Sequence, residues 1–123
     1  MEYPEDLLYD KKNCWVRLNG DIAEIGFTDD FVEEAAEFIS LELYAEGSIK
    51  KGDKLFFVES VGLNSYIESP ISGKIIETNK EALDNPNTLL KNPYDSWLVR
   101  IRLDNLRETE SLLNSNQIKR FKF

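Results

Sequence analysis

Hydrophobic and polar residues alternate through "CWVRL" and again through "IAEIGF", with "NGD" between the two runs. A period of two puts alternate side chains on opposite faces of a strand, so strands are expected at residues 14–18 and 22–27. Asn19-Gly20 is a hairpin signal, because both residues tolerate the positive φ of a type I′ turn. The period changes in "TDDFVEEAAEFIS", where Phe31, Ala35 and Phe38 recur as on one helical face. Thr28 is placed to cap that helix, and Asp29, Asp30, Glu33 and Glu34 suit the positive end of its dipole.

Alternation returns in "ISLEL". Gly47 and Gly52 then punctuate "AEGSIKKGDKLFFVES" into a brief extended segment at 48–49 and a mostly buried strand at 54–59. A turn follows around Gly62, and another strand is expected in "GKIIETN" behind Ser72-Gly73. Pro86 and Pro93 forbid one continuous helix in "KEALDNPNTLLKNPYD", which reads as a partly helical loop. "SWLVRIRL" sets Trp97, Val99 and Ile101 against Leu98, Arg100 and Arg102, a strand with one wetter face. The tail carries Leu106, Leu112, Leu113 and Ile118, with Ser115 placed as a cap between two short helices. Many short strands with glycine turns point to a small closed or sandwiched β structure.

Composition narrows the partners. A chain of 123 residues is expected to form one domain, residues 1–123. Fifteen Lys plus Arg against 23 Asp plus Glu give a formal charge of -8, which opposes a phosphate backbone, so nucleic acid is not an expected partner. Cys14 is the sole cysteine, which excludes an intrachain disulfide, and beside Trp15 it reads as a small buried apolar residue. The sequence shows no signal-like leader and no membrane-length apolar run, so the expectation is a soluble, cytoplasmic protein without a membrane partner.

Little in the chain points to catalysis. The absence of histidine removes the commonest neutral-pH base and the usual nitrogen metal ligand, and one cysteine cannot build a thiolate cluster. No calcium-loop or phosphate-loop pattern is present, so no metal or nucleotide site is expected. The paired acids at 29, 30, 33 and 34 are better explained as a solvated helix start than as an acid–base pair. Glu59, ahead of the Gly62 turn, is expected to cap that turn through backbone amides. Trp15, Trp97, Phe56 and Phe57 read as core, and "IKRFKF" as an exposed or docked tail.

The ordered combination "WVRLNGDIAEIGFTDDFVEEAAEFISLELYAEGSIKKGDKLFFVESV", "SPISGKIIETNKEALDNPNTLL" and "NPYDSWLVRIRL" resembles the glycine cleavage system H protein family over nearly the whole chain. The resemblance implies a mainly β fold, a barrel-sandwich hybrid of the lipoyl/biotinyl type with two small β sheets and short flanking helices. It also implies a cofactor-bearing protein that is not itself an enzyme. In the family, a lysine after glutamate-serine-valine carries lipoate, which shuttles an aminomethyl group between partner enzymes.

The family-motif turn here is Glu59, Ser60, Val61, Gly62, Leu63 and Asn64, and Gly62 stands where the lipoyl lysine belongs. Glycine has no amine for the amide that tethers lipoate. No attached cofactor is therefore expected, and the protein is expected to be a non-lipoylated adaptor or regulatory partner of lipoate-handling or glycine-cleavage-like enzymes. Two alternatives stand beside this. One is a lipoyl or aminomethyl carrier using a noncanonical lysine, Lys54 or Lys74; the other is a small-molecule binding module near Gly62, Leu63 and Tyr66. Ala36 and Tyr44 depart from the glycine and proline common in the family, in a helix and a loop that can reshape partner contact.

Overall fold

A computed structural model describes residues 2–123. The first half runs β1 Leu8–Tyr9, β2 Cys14–Asn19, β3 Ile22–Phe27, α1 Asp29–Ala35, β4 Phe38–Leu43 and β5 Ser48–Ile49. The second half runs β6 Lys54–Ser60, β7 Asn64–Glu68, β8 Gly73–Thr78, α2 Lys80–Asp84, a 3₁₀ segment Pro86–Leu90, β9 Val99–Leu103, a 3₁₀ segment Leu106–Ser111 and α3 Ser115–Lys122. The strands pair antiparallel into one sheet of order β1-β2-β3-β9-β8-β5 and a second of order β4-β6-β7.

The expected barrel does not form. Both sheets are open, and the fold is a two-sheet sandwich of the lipoyl/biotinyl-like kind with flanking helices. The larger sheet ends on β1 and β5, each only two residues long, which offer too few ladder hydrogen bonds to carry the sheet round to closure.

The core lies between the sheets. Val16, Ile25, Val99 and Ile101 come from the larger sheet, and Leu41, Phe56, Val58 and Ile67 from the smaller. Phe27 sits at the junction, with ring centroids 4.8 Å from Phe31 of α1, 5.5 Å from Phe56 and 6.4 Å from Phe38. This aromatic contact fastens α1 over the end of the sandwich. A second cluster, Tyr3, Leu7, Tyr9, Trp15 and Ile118, docks α3, so "IKRFKF" is the end of a seated helix. Cys14 is fully buried, and burial pushes its thiol well above the usual range.

The wetter face of β9 is a cross-strand ladder. Arg17 pairs in register with Glu24, Glu24 with Arg100, and Arg100 with Glu77. Their ion pairs are 3.3, 2.7 and 2.7 Å long, and Arg100 also lies 3.8 Å from the Trp97 ring centroid. Directly opposed charges of alternating sign hold the strands in one register.

Several local expectations shift. The β2–β3 turn is Gly20-Asp21, since Asn19 pairs with Ile22; only Gly20 has positive φ, +62°, as in a type II′ turn. Thr28 occupies the N-cap position of α1 without capping it: its hydroxyl donates to Asn13 O, and the Asp29 amide donates to the Tyr94 hydroxyl at 3.0 Å. Phe38 belongs to β4, reached after a sharp turn at Ala36. The cap of α3 is Asn114, in a reciprocal capping box with Gln117, and Ser115 is the first helical residue.

Candidate functional site

The family-motif residues form the tip of the β6–β7 hairpin. Glu59 pairs with Asn64 as the last rung of the ladder, and residues 60–63 make the connection. Ser60 holds this turn together: its amide donates to Leu63 O at 2.9 Å and to Asn64 Oδ1 at 3.1 Å, and its hydroxyl accepts from the Leu63 amide at 3.0 Å. Ser60 is buried, at 6% exposure. Glu59 does not cap the turn as expected. Its carboxylate points across to β4, where Oε1 accepts from the Ser40 hydroxyl at 3.3 Å.

The tip is fastened to the connection between α1 and β4. The Val61 amide donates to Glu37 O, and the Gly62 amide to Ala35 O, both at 2.9 Å. That connection turns at Ala36, the one non-glycine residue of positive φ among the described residues, with φ 66° and ψ -56°. The Glu37 amide donates to Ala35 O at 2.7 Å across this residue, which makes it the centre of a classic-type γ-turn. Asn87 braces the far side, its side chain accepting from the Phe38 amide at 2.8 Å and donating to Phe38 O at 3.1 Å.

Gly62 does not have the positive φ that would itself demand glycine. Close approach demands it instead: a Cβ at this position would lie 1.8 Å from the Glu34 carbonyl oxygen and 3.1 Å from that of Ala35. The turn is exposed to solvent on its outer side, where Val61 is 66% exposed, but the direction in which a side chain would leave residue 62 is filled by α1 backbone.

The other nominated residues lie apart. Lys54 pairs with Glu68 at the open end of the hairpin, roughly 17 Å from the tip at about 3.4 Å per residue, and its ammonium sits 4.3 Å from the Tyr66 ring centroid. Lys74 is on β8 in the other sheet, opposite Ser48 and Arg102. Both are exposed. Tyr66 turns to the outer face of the smaller sheet, 4.9 Å from the Phe57 ring and 5.1 Å from that of Tyr44. Leu63, by contrast, packs against the core. Among the described residues, no group of three or more metal-ligating side chains is gathered, and no helix is long and apolar enough to cross a membrane.

An open two-sheet sandwich with a tight hairpin tip beside a short helix defines the lipoyl-domain-like class of architecture. The family model of the glycine cleavage H-protein matches residues 7–122, and the chain belongs to that family. The "Glycine cleavage system H protein" of Rippkaea orientalis is 36% identical over 120 residues, 95% of this chain and 91% of that protein. The protein of the same name from Halothermothrix orenii is 33% identical over 123 residues, 98% and 96% of the two chains. The crystal structure of a glycine cleavage system H protein from Mycobacterium marinum superposes with a TM-score of 0.85 at 26% identity, covering 97% of this chain and 98% of that one. The family is one of non-catalytic carriers, and membership in it supports a non-enzymatic role for this chain.

Proposed function

We propose that this chain serves a glycine-cleavage-type system as a non-catalytic H-type component, and that any group it carries is attached at a lysine other than position 62. Whole-length relatedness to proteins named for the H-protein role supports a carrier over a bare adaptor. The observation that carries the second half is the Glu34 carbonyl oxygen, 1.8 Å from where the first side-chain atom of residue 62 would sit. A lysine-borne arm does not fit there, and glycine offers no amine. Carriage then falls to an exposed lysine such as Lys54 or Lys74.

The tip geometry favours a second reading, in which the protein binds lipoate-handling or glycine-cleavage-like enzymes without bearing lipoate. The Val61 and Gly62 amides are both committed to α1–β4 backbone, so the tip is held as a fixed surface element. Intact-mass analysis after coexpression with lipoylation enzymes, with peptide mapping, separates the two. Lipoate mapped to Lys54 or Lys74 supports the carrier. An unmodified protein that binds purified glycine-cleavage enzymes supports the adaptor, and an unmodified protein that binds none of them overturns both.

A further inference from the structure

A cleft of about 330 Å³ opens between the β1–β2 connection, the turn at Lys51-Gly52 and the chain after the second 3₁₀ segment. It lies at the end of the β6–β7 hairpin opposite the tip, since Glu68 and Ser69 line it while Glu59 and Asn64 close the other end. Its floor is apolar, built from Tyr9, Pro70, Leu112 and Leu113. Tyr9 is fully buried and its hydroxyl donates to Pro4 O at 2.6 Å, so it backs the floor and presents no polar group to the cleft.

The mouth is cationic, in a chain whose net charge is -8. Lys11, Lys12 and Lys51 line it against Asp10 and Glu68. Asp10 is turned inward, its Oδ1 accepting from the amides of Lys12, Asn13 and Cys14 at 2.9–3.0 Å. Glu68 is paired with Lys12 at 2.9 Å. The Lys51 ammonium donates to Ser111 Oγ at 2.9 Å and, among the described residues, is in ion-pair contact with no carboxylate. An ammonium has three donors, so two remain for a ligand. The nearby amides are already used, Lys51 N on Ser72 Oγ at 2.8 Å and Gly52 N on Ser69 O at 2.9 Å. The backbone-amide cradle that suits a phosphate is therefore missing.

We propose that this cleft binds a small carboxylic acid with a short apolar body. The carboxylate pairs with the Lys51 ammonium, with Lys11 and Lys12 adding to the local field, and the apolar body covers Pro70, Leu112 and Leu113. The volume is at the lower end of small-ligand sites, so an acyl chain of a few carbons fits and a nucleotide does not. The site is independent of how, or whether, the chain carries lipoate.

The test is an amide-resolved NMR titration of the full chain with hexanoate, with hexanol and inorganic phosphate as comparisons. Hexanoate is expected to give saturable shifts at the Gly52, Leu112 and Leu113 amides, and hexanol to bind about tenfold more weakly, the value of one charge-assisted contact. Lys51→Met is expected to weaken hexanoate about tenfold, with the amide spectrum elsewhere unchanged, whereas Lys80→Met, at an exposed lysine of α2 outside the cleft, leaves binding intact. The proposal is overturned if hexanoate gives no saturable shift, if hexanol or phosphate binds as tightly, or if the Lys51 variant binds like the wild type.

Discussion

The Gly62 amide donates to the carbonyl oxygen of Ala35 at 2.9 Å, and the same oxygen accepts from the Glu37 amide at 2.7 Å. One carbonyl thus closes the turn that ends α1 and fastens the hairpin tip to it. A methyl group at residue 62 has to displace this backbone. Gly62→Ala is expected to cost about 1–3 kcal/mol, as overpacking against fixed backbone does. Urea unfolding measures the cost, and hydrogen exchange should quicken at the Val61 and Gly62 amides. Gly62→Lys should lift the tip in the same way, and retained protection at those two amides would show that the contact is not steric.

Ala36 holds a backbone conformation that side chains resist, with φ 66°. Ala36→Gly keeps the γ-turn and relieves that strain, so it should stabilise the protein by about 1 kcal/mol. Thermal unfolding tests this, and a lower midpoint would sink the idea.

Asp10 combines a partly buried carboxylate with three amide donors on one oxygen. Burial pushes its carboxyl above the usual range, although the amides of Cys14, Lys12 and Asn13 pull the other way. The folded state therefore holds this proton more tightly than the unfolded chain does. Its contribution to stability falls as pH rises from the usual carboxylate value through the raised one. Asp10→Asn keeps an acceptor oxygen and has no charge to bury, so its stability relative to wild type should climb across that window and then level off. Asp10→Ala strands the amides and should cost about 1–3 kcal/mol. Urea midpoints measured from acid to neutral pH check both, and a wild type that gains on Asp10→Asn through the window would contradict the assignment.

Trp15 lies against Gly26 on the neighbouring strand, where a Cβ would come within 2.3 Å of its ring. The indole is fully buried and donates to Pro93 O at 3.0 Å. Gly26→Ala should cost about 1–3 kcal/mol by overpacking. Trp15 fluorescence should report a disturbed ring environment in the folded variant, and an unchanged spectrum with unchanged stability would refute the contact.

β9 was legible because its burial alternates as its residue types do, whereas β2 and β3 are buried on both faces at Cys14–Val16 and Ile25–Phe27 and were legible from the alternation of residue type around Arg17 and Glu24. β7 was hidden for the opposite reason: of "NSYIE" only Ile67 is buried, so no alternation shows. β1 is too short to carry a period, and the openness of the larger sheet depends on such short edges. The family motif located the tip, but the reason for glycine there was invisible, because the obstructing oxygen belongs to Glu34, on a distant helix. The Ser60 and Asn64 side chains that hold the turn are of the types that bond their own nearby backbone, a signal that "ESVGLN" carries. The lysines of the basal cleft come from segments far apart in sequence, and only the fold unites them.

The contact between the tip and α1 also sets an order on sequence change. As long as Glu34 and Ala35 keep their backbone positions, a substitution that puts any side chain at residue 62 meets a closed door, whatever that side chain would later do. A lysine at this position requires changes that draw the end of α1 away, near Ala36 or at Asn87, which braces Phe38. In isolation those changes bring no attachment chemistry, so the glycine is held in place by its neighbours as much as by its own codon.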